Sequence, residues 1–221
     1  MILSIIGGFI PGLVWSILYI LLNKKYFLNH WKRILLLFLL GGIGSYFCYR
    51  LEMHYGSYFK KVKDSNYFEI LFYAIFGVAI FEEGYKWFLT VLSNFFNKNN
   101  NGKNIFCDAL FVSIGFSTLE NILFYAIPYG FVSGIIRIYS AFLSHISCGL
   151  LMGYFLLRGS RNNRFRKGLF WCLGLVIPIL NHAMYNSFLY GGMYQEYFIY
   201  YYIITVIIVL VFSYYFYKER I

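Results

Sequence analysis

Apolar positions in this chain run in long unbroken stretches. They do not alternate as in a half-buried strand, nor form the single stripe of a surface helix. Seven stretches stand out, at about 2–22, 34–50, 67–92, 105–127, 131–157, 168–190 and 196–217. Crossing the hydrocarbon layer as a helix takes about 20 mostly apolar residues. In lipid, a helix also satisfies its own backbone polar groups. The pattern predicts an all-α polytopic transmembrane helical bundle of about seven spans, forming a single integral-membrane domain over 1–221. The links between stretches leave no room for a soluble domain.

Composition excludes the soluble alternative. Hydrophobic residues make up 60% and charged residues 13%, whereas soluble domains carry about 25% charged residues. A chain of 221 residues lacks the interior to hide that much apolar surface from water. The formal charge of +10 reads as topology rather than as a nucleic-acid footprint, because the basic residues sit in short gaps between apolar runs. With the N-terminus outside, thirteen Lys and Arg fall in cytoplasmic segments and five outside, with Lys86 left inside a span. This bias predicts an N-out, C-in orientation. The dissenting group is Lys60, Lys61 and Lys63. The first 22 residues lack a basic n-region and a clean cleavage site, so they read as a retained span. Cys48, Cys107, Cys148 and Cys172 lie in apolar runs without CxxC spacing, as buried thiols do. The tyrosines at both ends of the last stretch (Tyr197, Tyr200, Tyr201 and Tyr202, then Tyr214, Tyr215 and Tyr217) and Trp31 fit interface belts. Gly149 and Gly153 form a small-xxx-small packing motif.

A short set of polar residues remains at membrane depth: Glu82, Glu83, Lys86, Glu120, Asn121, His145, His182 and Asn186. Intramembrane ionisable groups are costly and by default mark function. The bland reading, helix-gluing pairs, suits any one of them better than it suits the whole set. Glu82 and Lys86 are i,i+4 and share a helix face, while Glu83 points about 100° away. His182 and Asn186 are also i,i+4. Arg137 and His145 are eight apart, two turns along one helix. At about 1.5 Å per residue, Glu82 and His145 lie roughly 20 Å from the outer ends of their spans. Glu120 and His182 lie roughly 10 to 12 Å in, so all four can share one pocket.

The chemistry of this set is hydrolytic. Glu120, His145 and His182 match by type the two-histidine, one-carboxylate set that holds catalytic zinc and leaves a place for water. Glu82 or Glu83 can then take the proton from that water. Asn186 and a histidine can donate to the oxyanion of a tetrahedral intermediate. A metal-free route, with a glutamate activating water directly, is equally open at this stage. Neither HExxH nor GxSxG occurs. Ser144 adjoins His145 but points about 100° from it on a helix, so no serine or cysteine stands out as nucleophile.

Four segments resemble a known family. "FEEGYKWF" (81–88) is similar to the EExxK motif of the PrsW-type intramembrane proteases. "GFSTLENILFY" (115–125) resembles their Phe-x-x-x-Glu motif followed by Asn. "SHISCGLLMGYFL" (144–156) resembles their histidine-bearing span, and "PILNHAMYNSFL" (178–189) their His-x-x-x-Asp/Asn motif. The likeness covers roughly 78–190, within a four-span core at 67–190. It implies an intramembrane endopeptidase that cuts a membrane-anchored protein or peptide, an anti-sigma factor by analogy, in a bacterial plasma membrane. It also implies a distant kinship with CaaX prenyl-proteases and bacteriocin-immunity proteins. By position it makes Glu82 and Glu83 catalytic, Lys86 their partner, and Glu120, His145 and His182 the rest of the centre. Asn186 stands where an aspartate is common, which suits a hydrogen-bond donor better than a metal ligand.

Two readings from other classes use the same residues. A proton- or cation-coupled transporter would relay protons along them; neither an internal repeat nor paired broken helices supports it. A catalytically inactive scaffold would keep buried charges that only cost stability. The other polar residues read blandly: Arg137 as an interface anchor that snorkels, with a place over the site as its alternative, Asp108 as an acid at a helix start, and His30 and His54 as solvated loop residues. Cys148, three residues after His145, reads as a core thiol rather than a ligand.

Overall fold

Backbone groups placed in an apolar surround must pair within their own segment, and this chain does so by helix almost throughout. The computed structural model describes residues 1–56, 66–96, 104–190 and 196–218, with no strand among them. The all-α expectation holds. Lys60, Lys61, Lys63, Lys98, Lys103, Arg220 and most of the polar loop 97–104 lie outside the described residues.

The first helix, α1 (Ile2–Leu22), is followed by α2 (Lys24–Gly56), which bends at His30 (φ −128°, ψ 16°). The expected stretch 34–50 is thus longer at both ends. Lys, Arg and Glu propagate a helix as well as Leu does, so a polar residue does not end one. His30 and His54 accordingly lie within α2, not in loops. Next, α3 (Tyr67–Tyr73) starts at Asn66, whose side chain accepts from the Glu69 N–H. It passes through a π-helical turn at Ala74–Ala79 into α4 (Ile80–Phe96). Then α5 (Asn104–Asn121) continues through a second π-turn, Ile122–Ala126, into α6 (Ile127–Tyr129). Gly130 (φ 93°), the one positive-φ position among the described residues, turns the chain into α7 (Phe131–Ile136). After a 3-10 turn at Arg137–Tyr139 come α8 (Ala141–Ser160), α9 (Arg164–Tyr190) and α10 (Phe198–Lys218).

One expectation is corrected here, together with the alignment that rests on it. The stretch 131–157 is not one helix, because the backbone breaks at Ser140 (φ −118°, ψ −91°). There Trp15 of α1 donates its indole N–H to the Ile138 carbonyl (3.3 Å). The two-turn alignment of Arg137 with His145 therefore does not exist. Six helices among the described residues are long and apolar enough to cross a membrane. The stretch 67–96 is not one of them, since it carries Glu69, Glu82, Glu83 and Lys86.

The central helix is α5, buried from Ile105 to Thr118 and packed against α1, α2, α4 and α8. The α8 helix packs in turn on α9 and α10. Small residues set these distances. A Cβ on Gly153 would lie 2.9 Å from the Phe106 Cα, and one on Gly149 would lie 3.2 Å from the Ala109 carbonyl oxygen. The small-xxx-small pair thus seats α8 on α5. At Gly115 a Cβ would come 2.0 Å from the Phe38 carbonyl oxygen of α2. Alanine would gain up to about 1 kcal/mol in helix propensity. Overpacking costs about 1–3 kcal/mol, and the obstacle here is backbone. Gly115→Ala should therefore lower thermal stability in detergent, whereas Gly168→Ala in α9, with open space around it, should raise it. Equal melting temperatures for the two would contradict the packing.

Asp108, expected as a helix-start acid, lies one turn inside α5 and serves a tertiary partner instead. It is fully buried and ion-paired to Arg33 of α2, and Ser93 of α4 also donates to it (3.2 Å). Tyr201 points inward to the Ser144 hydroxyl (3.0 Å) rather than to an interface. Cys172 is exposed, unlike the other three cysteines.

Candidate active site

Glu82, Glu83 and Lys86 follow the π-turn on α4, and all three are buried. Spacing favours a Glu82–Lys86 pair, and that contact is present at 3.5 Å. The tighter bond is at i,i+3, where Lys86 Nζ donates to Glu83 Oε1 at 2.7 Å. Lys86 also reaches across to α8, 2.9 Å from His145 Nδ1, and lies 4.1 Å from the centre of the Phe116 ring.

That contact sets a tautomer. An ammonium can only donate, so His145 Nδ1 accepts and the ring proton resides on Nε2. From there it is donated to Glu120 Oε2 at 2.7 Å. The other Glu120 oxygen, Oε1, accepts from Arg137 Nη2 at 2.6 Å. On the far side, His182 Nδ1 lies 2.8 Å from Glu83 Oε1 and donates to it. The two imidazoles stand nearly perpendicular with centroids 4.9 Å apart. One continuous chain therefore runs Arg137–Glu120–His145–Lys86–Glu83–His182, drawing on α4, α5, the 137–139 turn, α8 and α9.

A cavity of about 500 Å³ opens beside this chain. Glu82, Glu120, His145, His182, Arg137 and Asn186 line it, together with an aromatic wall that includes Tyr49, Tyr73, Tyr125, Tyr185 and Tyr190. Glu83 and Lys86 do not line it and are fully buried. Of the two adjacent glutamates, Glu82 is thus the one that borders the cavity. Asn121 is elsewhere, donating to the Gly8 and Gly134 carbonyls at 2.9 Å and tying α5 to α1 and α7. Cys148 accepts from Asn181 (3.2 Å) and donates to the Pro178 carbonyl.

The donor set suits a divalent cation. Glu82, Glu83, His145 and His182 each offer one ligand-type atom, and these atoms all lie within 4.8 Å of one another. Glu82 Oε2 and Glu83 Oε2 are buried with no hydrogen-bond partner, and buried carboxylate oxygens are seldom left so. Glu120 is outside this group, held by Arg137 and His145.

One acidic cavity residue escapes the sequence reading, and one basic residue takes the lesser of its two readings. Glu52 of α2 lines the cavity within hydrogen-bonding reach of Glu82. It was hidden because the apolar run ends before it. Its signal was faint: an acid one turn after Cys48 on a helix that polar residues do not stop. Arg137 takes the alternative place over the site rather than the anchor role: it is only 8% exposed and lines the cavity. Burial of this kind leaves no mark in local sequence.

A family model described as PrsW family intramembrane metalloprotease matches residues 29–212. The chain is 32% identical over 127 residues to Protease PrsW of Oceanobacillus iheyensis, covering 57% of this chain and 58% of that protein. It is 34% identical over 116 residues to Protease PrsW of Halalkalibacterium halodurans, covering 50% and 51%. With Protease PrsW of Bacillus subtilis the identity is 30% over 122 residues, covering 53% and 54%. The chain spans about half the length of the curated relatives it matches. No solved structure matches it.

Proposed function

The chain belongs to the PrsW family of intramembrane metalloproteases, and from that premise we propose that it is an endopeptidase that cuts a membrane-anchored protein within or beside the bilayer. The observation that carries this reading is Glu82, a buried carboxylate bordering a cavity, with an oxygen that has no hydrogen-bond partner and His182 alongside.

In this mechanism Glu82 takes a proton from water as the water oxygen attacks the scissile carbonyl, then returns it to the departing amine. Lys86 and Glu83 hold the back of the site. Lys86 locks the His145 tautomer, and Glu83 orients His182 through Nδ1, which leaves the other ring nitrogen with its lone pair. Asn186 on the cavity wall donates to the substrate carbonyl. Glu83, through its unpartnered Oε2, and His182, through its free ring nitrogen, would hold zinc; His145 would join them through Nδ1 only in place of its contact with Lys86, and Glu120 is engaged with Arg137 and His145. Bound there, zinc would supply Lewis acidity toward the water and the carbonyl. The bacterial relatives and the Lys/Arg bias suggest a plasma-membrane protein with its N-terminus outside. A single-pass, anti-sigma-like protein is the substrate that the family suggests.

The test is cleavage of a single-pass membrane-anchored protein by the purified chain in liposomes, with elemental analysis of the same sample. Cleavage should fall at least about a hundredfold in His182→Ala. About one zinc per chain should be found, and removing it with a chelator should stop cleavage until zinc is returned. Wild-type protein that is folded yet cuts no such substrate sinks the endopeptidase reading. Full activity without metal moves the chemistry to the glutamate alone.

A further inference from the structure

Arg137 has no place in the scheme above, yet its surroundings are unusual. The guanidinium is buried in the cavity wall, its centre 3.3 Å from the centroid of the Tyr125 ring. It carries five N–H donors. Nη2 donates to Glu120 and the Tyr125 hydroxyl lies within reach, but Nε–H is buried without an acceptor. Neutralising Glu120 accounts for the charge of Arg137 and not for its spare donors. Two groups of this chain already bond to Glu120, because His145 donates to the other oxygen. Arg137 and His145 therefore sit on opposite oxygens of one carboxylate, which brings the guanidinium within one residue of the imidazoles. Ring stacking and the ion pair fix its plane before any ligand arrives.

We propose that Arg137 is a catalytic residue that donates hydrogen bonds to the scissile carbonyl oxygen as that oxygen becomes negative. This inference rests on the proteolytic reading. As the water oxygen bonds to the carbonyl carbon, the C=O π pair moves onto oxygen and Glu82 gains the water proton. Arg137 keeps all its protons and stabilises the oxyanion by hydrogen bonding alone. When the pair returns, the C–N bond breaks and the amine leaves with the proton held by Glu82. A preorganised cationic donor in the cavity wall is the arrangement that favours the transition state over the ground state.

Kinetics of Arg137→Gln, Arg137→Lys and Arg137→Ala on the substrate cleaved by wild type test this proposal. A second readout is binding of a phosphinic Ala–Leu pseudopeptide, whose PO2⁻ group stands in for the oxyanion. Arg137→Gln should lower kcat by about a hundred- to a thousandfold with KM nearly unchanged, and weaken phosphinate binding in step. Added ethylguanidinium should restore at least about tenfold of the lost rate to Arg137→Ala, which a merely structural arginine would not permit. Arg137→Lys keeps the charge against Glu120 and should fold even if the other variants do not, yet recover little rate. Three outcomes overturn the proposal: an Arg137→Gln rate within threefold of wild type, phosphinate affinity indifferent to Arg137, or a rate loss that vanishes in the Arg137→Gln/Glu120→Gln double variant. Wild-type protein that binds phosphinate through Arg137 but cleaves nothing would keep the donor site and sink the proteolytic reading. Cleavage at full rate by the Arg137 variants would do the reverse.

Discussion

Glu82→Gln should lower cleavage by about a thousandfold while the bundle stays folded. The two side chains are the same size, and Glu82 makes no hydrogen bond through Oε2 that the amide would have to replace. A general base typically contributes about a hundred- to ten-thousandfold, and glutamine cannot serve as one. Its neighbour provides the contrast. Glu83 accepts from both Lys86 and His182, so Glu83→Gln disturbs the scaffold as well as the rate. The measurement is single-turnover cleavage beside a thermal melt in the same detergent. A Glu82→Gln rate within tenfold of wild type at an unchanged melting temperature would remove Glu82 from the proton-transfer role.

Lys86→Met should cause the largest loss of stability of any single change at the site. Lys86 is fully buried, 2.7 Å from Glu83 Oε1, 2.9 Å from His145 Nδ1 and 3.5 Å from Glu82 Oε2. Methionine fills most of the same volume, so cavity formation contributes little. What remains is a fully buried carboxylate, Glu83, that keeps the His182 hydrogen bond but has lost its cationic partner. Removing one member of a buried pair costs about 3–5 kcal/mol, or roughly 6–20 °C in melting temperature for a chain of this size. The double variant Lys86→Met/Glu83→Gln, with the Glu83 charge removed and only the more distant Glu82 left without Lys86, should recover much of that loss. A single variant that melts with wild type would mean that the buried charge is solvated by another route. Activity should fail in both, because His145 loses the partner that sets its tautomer.

Much of this arrangement was legible residue by residue. Glu82 and Lys86 shared a face by spacing, and they are in contact. His145, His182 and Glu120 stood at compatible depths on separate spans, and His145 now bonds Glu120 while its ring meets that of His182. The illegible parts all depend on a partner far away in the chain. Asp108 reads locally as a helix-start acid, and only the approach of α2 supplies Arg33. Arg137 reads as an anchor because the break at Ser140, which turns it inward, has no proline or charged run to announce it. Glu52 vanished because a hydropathy run ends at a charge whereas a helix does not.

Residue patterning alone establishes an all-α membrane bundle and picks out the ionisable groups that interrupt its apolar runs. Both follow from transfer energies that each residue carries wherever it sits. Packing of the helices settles that Lys86 bonds Glu83 more closely than Glu82, that Glu120 serves Arg137 and His145, and that Glu82 rather than Glu83 borders the cavity. Those outcomes depend on distances between helices remote in sequence. Glycines such as Gly115 and Gly153 and the bend at Ser140 set those distances, through the volume excluded where backbones meet.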